Sequence, residues 1–176
     1  MQKARISPTL SPESMLIRKA KENELEEIYM FGFDVWGEGL DKQAYLRKCK
    51  EVWYKDASWL ALKDASGLLS SLCTFDSPTF RLPAGSIGLG SLATKPEQRH
   101  KGYGKLILEH LLDYVDGRPR RIEAVFLYSE IDPAYYKAYG FMVLPEAYQQ
   151  HKAPLMLRTK YKRYLSRKDF FPPEYF

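Results

Sequence analysis

The stretch that most restricts this chain is Gln98-Arg99-His100-Lys101-Gly102-Tyr103-Gly104, followed at once by Lys105 to Leu112. Leu108, Leu111, Leu112 and Val115 recur there at i, i+3, i+4 and i+7, which puts them on one face of a helix. The segment in front, Gly85 to Thr94, is small, apolar and uncharged, as suits a buried strand. The order is therefore strand, cationic glycine loop, helix N-terminus. Unpaired amides and a partial positive charge at a helix start attract anions. Gly102 and Gly104 let the backbone approach such an anion, and Arg99 and Lys101 add positive charge, so the stretch has the physics of a phosphate cradle. It is not a Walker loop, because Lys105 is followed by Leu106 rather than Ser or Thr. Nor is it a dinucleotide fingerprint, since no third glycine falls in phase.

A chain of 176 residues can form one domain with a real core, and 45% hydrophobic residues argue against disorder. The net charge of +5 helps to attract an acidic ligand without by itself indicating nucleic acid. Cys49 and Cys73 lie in segments that read as element interiors, which fits a reducing compartment. No stretch approaches the roughly 20 apolar residues of a membrane span. Met1 to Glu13 is polar, with Pro8 and Pro12, and lacks a signal-peptide core. These features predict a cytoplasmic protein with no membrane partner. His100, His110 and His151 show no metal-ligand spacing, so no metal is expected.

Read in order, residues 1–13 form a flexible lead-in and Met15 to Ala20 a first strand. Asn23, with Glu26 three residues on, caps a helix that runs to about Phe33. Asp34 to Gly39 reads as a loop. A second helix begins near Asp41, with Tyr45, Cys49, Val52 and Trp53 on one face. Trp59–Leu62 and Leu68–Phe75 are strand-like, joined by the turn Lys63–Gly67, and feed the Gly85–Thr94 strand. Past the helix at 104–116, Gly117-Arg118-Pro119-Arg120 leads to a strand at Ile122–Tyr128. Asp132-Pro133 starts a helix that Gly140 stops. Strands at Phe141–Leu144 and Ala153–Thr159 follow, and then the basic, aromatic stretch Tyr161–Phe176.

Two segments now stand together: Arg99-x-x-Gly102-x-Gly104 between strand and helix, and Tyr136-Lys137-Ala138-Tyr139-Gly140-Phe141 some thirty residues on. This combination resembles the GNAT superfamily of acetyl-CoA-dependent N-acyltransferases, and covers about Leu16 to Thr159. The resemblance implies an α/β (α+β) acyl-CoA N-acyltransferase fold. Its sheet is mixed, twisted and mostly antiparallel, with six to seven strands, about four helices and splayed central strands. The domain would span 14–160, with 161–176 as an extension.

The resemblance also implies acetyl-CoA as co-substrate. Its pantetheine would lie along Leu92, Ala93 and Thr94, with its pyrophosphate on the amides of Arg99, His100, Lys101, Gly102, Tyr103, Gly104 and Lys105. Tyr136, four residues before Gly140, is the expected general acid, since a phenol near its reference pKa of about 10 is protonated at neutral pH. Many family members carry a Glu on the strand before the glycine loop; Gly85–Thr94 has no acid and no His, so the base stays open. Asp34, Glu38, Glu130, a water wire and the Phe176 carboxylate are the candidates. Trp36, Glu38 and Glu130 are expected to shape the acceptor site, and acids there favour a cationic amine. A primary amine of unidentified class is the expected acceptor. Two other readings remain: an acyl-CoA-binding module without chemistry, and a nucleic-acid-associated factor using the basic tail. Nucleic acid is not the expected partner. The tail is expected to be a solvated face, or to dock on the core or on a second subunit in a homodimer.

Overall fold

The computed structural model describes residues 15–118, 121–168 and 170–176. The lead-in 1–13 and the Pro119–Arg120 part of the expected helix exit lie outside them. The described chain forms β1 (Leu16–Lys19), α1 (Leu25–Met30), α2 (Phe33–Trp36), α3 (Lys42–Lys48), β2 (Ser58–Asp64), β3 (Gly67–Asp76) and β4 (Ser86–Thr94). These are followed by α4 (Tyr103–Asp116), β5 (Ala124–Tyr128), α5 (Ala134–Lys137), β6 (Met142–Val143) and β7 (Leu155–Thr159).

One sheet runs β1-β2-β3-β4-β5-β7-β6. Every pairing is antiparallel except β4 with β5. Alternation along the strands serves two cores, one on each face. On β5, Val125 and Leu127 join α4's Ile107, Leu108, Leu111, Leu112 and Val115. Ala124, Phe126 and Tyr128 join Phe31, Tyr45, Trp59 and Tyr164 on the other face. With both faces covered, all five residues of β5 are buried.

The expected mostly antiparallel, seven-strand architecture is present, and three local expectations are corrected. The first helix starts through Glu24, not Asn23: the Lys21 amide donates to the Glu24 carboxylate at 2.8 Å. Arg18 grips that carboxylate in two hydrogen bonds of 2.6 and 2.8 Å and, more than any other influence, holds its pKa down to about 2. The segment Asp34–Gly39 is not wholly loop, because Phe33–Trp36 makes a further helical turn. Gly32 permits it: the Trp36 ring folds back so closely that a Cβ on Gly32 would stand 2.0 Å from it. Val52 leaves the face it was expected to share and is 65% exposed, whereas Tyr45 and Cys49 are fully buried. Cys49–Trp53 is a π-helical turn, and its wider spacing rotates Val52 outward.

At the other end, α5 stops at Lys137 and the turn after it closes at the expected Gly140, whose φ is +83°. The Phe141 amide bonds the Tyr136 carbonyl and the Gly140 amide bonds that of Lys137. This is a Schellman closure, which left-handed glycine supports without strain.

Leu108 is completely buried under the sheet. Leu108→Ala is expected to destabilise the protein by about 2–5 kcal/mol in urea unfolding. Glu24, with its carboxyl held near 2, contributes stability above the unfolded value of about 4.3 and loses it as pH falls through the folded one. Glu24→Gln should therefore be less stable at neutral pH, and should lose less stability than the parent between about pH 4.5 and 2.

Candidate active site

The sheet opens at one place. β4 and β5 pair only at Ser86–Ala124, Ile87–Val125 and Gly88–Phe126, after which β4 runs on to Thr94 bonded to β3 alone. Its edge toward β5 is thus unpaired over Leu89–Thr94, where a wedge-shaped cleft begins. A bulge sits in the same stretch: Cys73 pairs Gly90 and Ser71 pairs Ala93, so Leu72 faces both Ser91 and Leu92. Ser91 takes φ +44°, a left-handed value uncommon outside glycine. Such a bulge interrupts the ladder and re-aims the local amides.

β4 ends at the glycine loop. Gly102 is the N-cap of α4 with φ +84°, and nothing lies within 4 Å of where its Cβ would be. The first amide of the helix to bond back is that of Leu106, to the Gly102 carbonyl, so those of Tyr103, Gly104 and Lys105 have no carbonyl one turn behind them. Gly104 stands against Thr94, whose hydroxyl meets that of Ser70 at 3.0 Å. The expected cofactor residues Leu92, Ala93 and Thr94 and the loop 99–105 are therefore continuous, running from strand edge to helix start.

Within this loop the side chains divide. Arg99 points away from a ligand above the loop: it grips Asp34 at 2.6 and 2.7 Å and also donates to the carbonyls of Phe31 and Thr94. It ties the α1–α2 segment to the end of β4. Its guanidinium also lowers the Asp34 pKa, chiefly by hydrogen bonding. Asp34 is thereby engaged in a structural pair rather than available as a base. Lys101 donates to the Gln98 side chain at 2.8 Å, and Lys105 lies 3.7 Å from Glu109. His100 is exposed, with φ +62°.

Tyr136 is 9% exposed and packs edge-on against Tyr135 and Phe141. It belongs to the same apolar cluster that Leu92 and Tyr103 pack against. Burial first, and then the charge of Glu130, pushes its phenol up to about 12. It therefore stays a proton donor across the physiological range. Glu130 follows β5 and is exposed. One of its oxygens accepts the Trp36 indole N–H at 2.5 Å and the other accepts the Tyr175 hydroxyl. Trp36 and Glu130 are thus brought together. Glu38 is exposed on the adjoining loop, with φ +35°, and its charge acts on Tyr175. Asp132 is a cap, its carboxylate accepting the Ala134 amide.

Two further residues enter that periodicity does not mark. Tyr54 lies within the influence of Ser91 at the bulge and of Glu130, while burial is the main cause that raises its phenol pKa. Tyr175 arrives from the end of the sequence, 45 positions beyond Glu130. The only signal for either is tyrosine abundance, which does not say where a ring will go. Among the described residues, no group of His, Cys, Asp and Glu could hold a metal ion, and no helix is long and apolar enough to cross a membrane.

Among solved structures, PaiA N-acetyltransferase from Thermoplasma acidophilum in complex with coenzyme A is 19% identical, with a TM-score of 0.61. The match covers 83% of this chain and 99% of that one. A GCN5-related N-acetyltransferase from Kribbella flavida is 18% identical at a TM-score of 0.63, over 85% of this chain and 99% of that one. A GNAT family acetyltransferase from Brucella melitensis in complex with acetyl-CoA is 16% identical at 0.60, over 84% and 88%. These likenesses establish a common fold. No curated protein matches the sequence. The family model described as acetyltransferase (GNAT) family matches residues 22–142, which is more than half of the chain. With the fold, the splayed strands and the glycine loop all in accord with it, the chain is an acyltransferase that belongs to the acetyltransferase (GNAT) family.

Proposed function

We propose that the protein transfers an acetyl group from acetyl-CoA to a primary amine, by direct attack through a tetrahedral intermediate. The observation that carries this reading is the continuity of the unpaired β4 edge with the amide-rich turn at Gly102. An extended amide-bearing arm ending in a pyrophosphate has matching donors and acceptors along that path. The Leu92–Thr94 backbone would hold the pantetheine as an added strand. The amides around Gly102 to Lys105 would take the pyrophosphate. Structures of the same fold hold coenzyme A or acetyl-CoA, which supports this choice of donor.

The chemistry needs a neutral amine, stabilisation of the oxyanion and a proton for the departing thiolate. The left-handed turn at Ser91 offers re-aimed backbone amides beside the cleft, suited to the oxyanion. Tyr136, whose phenol burial keeps protonated, can donate its proton as the thiolate leaves the tetrahedral intermediate. Of the acids weighed as partner to the amine, Asp34 is engaged by Arg99, whereas Glu130 faces the cleft side of Tyr136 and Tyr54 electrostatically. Glu130 therefore meets the incoming ammonium, whose proton passes to solvent before the neutral amine attacks the thioester. We read residues 14–160 as the catalytic domain and 161–176 as an extension lying against it.

Gly102→Glu adds a carboxylate and forces a side chain into a left-handed position, a strain of about 1–2 kcal/mol. It should weaken acetyl-CoA binding about tenfold or more in calorimetric titration; unchanged affinity would remove the cradle. Tyr136→Phe should lower turnover by about 100-fold or more with acetyl-CoA affinity retained, in an assay of thiol release with an amine panel. Full activity of that variant would exclude Tyr136 as the acid.

A further inference from the structure

The last seven residues of the sequence do not trail off the fold but are fastened across the open side of the cleft. The Arg81 guanidinium lies 5.0 Å from the Phe171 ring centroid. Tyr128 donates its hydroxyl to the Pro173 carbonyl at 2.8 Å, and the Glu174 amide donates to the Phe80 carbonyl at 2.8 Å. Phe80 and Arg81 both take left-handed backbone angles, φ +51° and +57°, in the loop that makes these contacts. The Phe176 ring lies on β4 so closely that a Cβ on Gly88 would stand 2.8 Å from it, and it packs on Phe75, Phe80 and Tyr128.

The segment thereby brings Tyr175 to Glu130 from the side opposite Trp36. The Tyr175 ring is stacked on His151 with centroids 3.9 Å apart, and meets Tyr128 edge-on at 5.0 Å. Glu130 is left with one donor on each oxygen, held between two aromatic residues and still exposed to an incoming molecule. Charge near this wall is acidic: Glu130 and Glu38 act on Tyr175, and Glu174 acts on Tyr128.

We propose that Tyr175 is a positioning residue for the acceptor: with Trp36 it fixes the Glu130 carboxylate, and the Tyr175 and Trp36 rings give the acceptor site an aromatic wall that selects a primary amine borne on a flat, apolar body. The inference rests on the acetyl-transfer reading. The cation of such an amine is met by Glu130, and its flat body is met by aromatic faces, where cation–π and stacking contacts add selectivity. A polyhydroxylated amine would leave hydroxyls unpaired against the same wall and is disfavoured.

The test uses the full chain. Coenzyme A is titrated first, and then the coenzyme-A-saturated protein is titrated with phenethylamine, 1,4-diaminobutane and glucosamine, for the parent, Tyr175→Phe and Glu130→Gln. Phenethylamine should bind the parent about tenfold or more tighter than the other two amines. Tyr175→Phe should weaken phenethylamine about tenfold and raise its KM in proportion, with kcat, coenzyme A affinity and melting temperature little changed. Glu130→Gln should weaken all three amines. Equal binding of the three amines by the parent, or no binding of any, overturns the proposal. So does a Tyr175→Phe variant that loses melting temperature but keeps its KM, because Tyr175 would then only brace the fold. A uniform rise in turnover in that variant also overturns it, because the segment would then be an obstruction. If coenzyme A does not bind the parent, the acetyl-transfer reading itself falls, and phenethylamine titrated without it still decides whether the wall binds an amine.

Discussion

The candidate site depends on the parting of two parallel strands after three residue pairs. β4 cannot continue beside β5, because it bulges at Ser91–Leu92 and is held by β3 as far as Thr94. A parallel pair needs a crossover, and here that crossover is the glycine loop and α4. The helix that links the two strands thus has its N-terminus at the top of the gap they leave. The unpaired edge of β4 is partly exposed from Gly90 to Thr94, so its free amides and carbonyls are open to water or to a bound molecule.

Side chains then brace the two sides of the gap. Arg99 makes four hydrogen bonds at one end, two to Asp34 and two to backbone carbonyls of Phe31 and Thr94. The Arg99–Asp34 pair is partly exposed, so its worth lies in orientation more than in net energy. At the other end Glu130 joins Trp36 and Tyr175, residues from opposite ends of the sequence. Trp36 can reach it only because Gly32 has no side chain beneath the indole. Both braces hold the α1–α2 segment in place, one by way of Asp34 and the other by way of Trp36.

Local pattern was enough for much of this. Leucines at helical spacing placed α4, alternation and turns placed β2 and β3, and the Gly140 stop placed the turn after α5, since each depends on neighbours within a few residues. The glycine loop was legible for the same reason: its left-handed N-cap at Gly102 is a local requirement. The π-helical turn that exposes Val52 was not, because a single widened turn leaves no periodic mark. Nor was the use of Arg99. A cation in a phosphate-type loop reads as a ligand contact until Asp34, 65 positions away, is seen to hold it.

The sequence by itself determined most of the order of elements, the amphipathic faces, the left-handed glycine turn and the Tyr136–Phe141 motif, all set by interactions within a turn or a strand. Only the tertiary structure decided which acid stands free, which cation is taken and where the aromatic tail goes. Those outcomes depend on contacts between residues tens of positions apart, and tyrosine packs equally well on many apolar surfaces. Which ring meets Glu130 was settled by the shape of the whole sheet, through the space that β4 and β5 leave open between them.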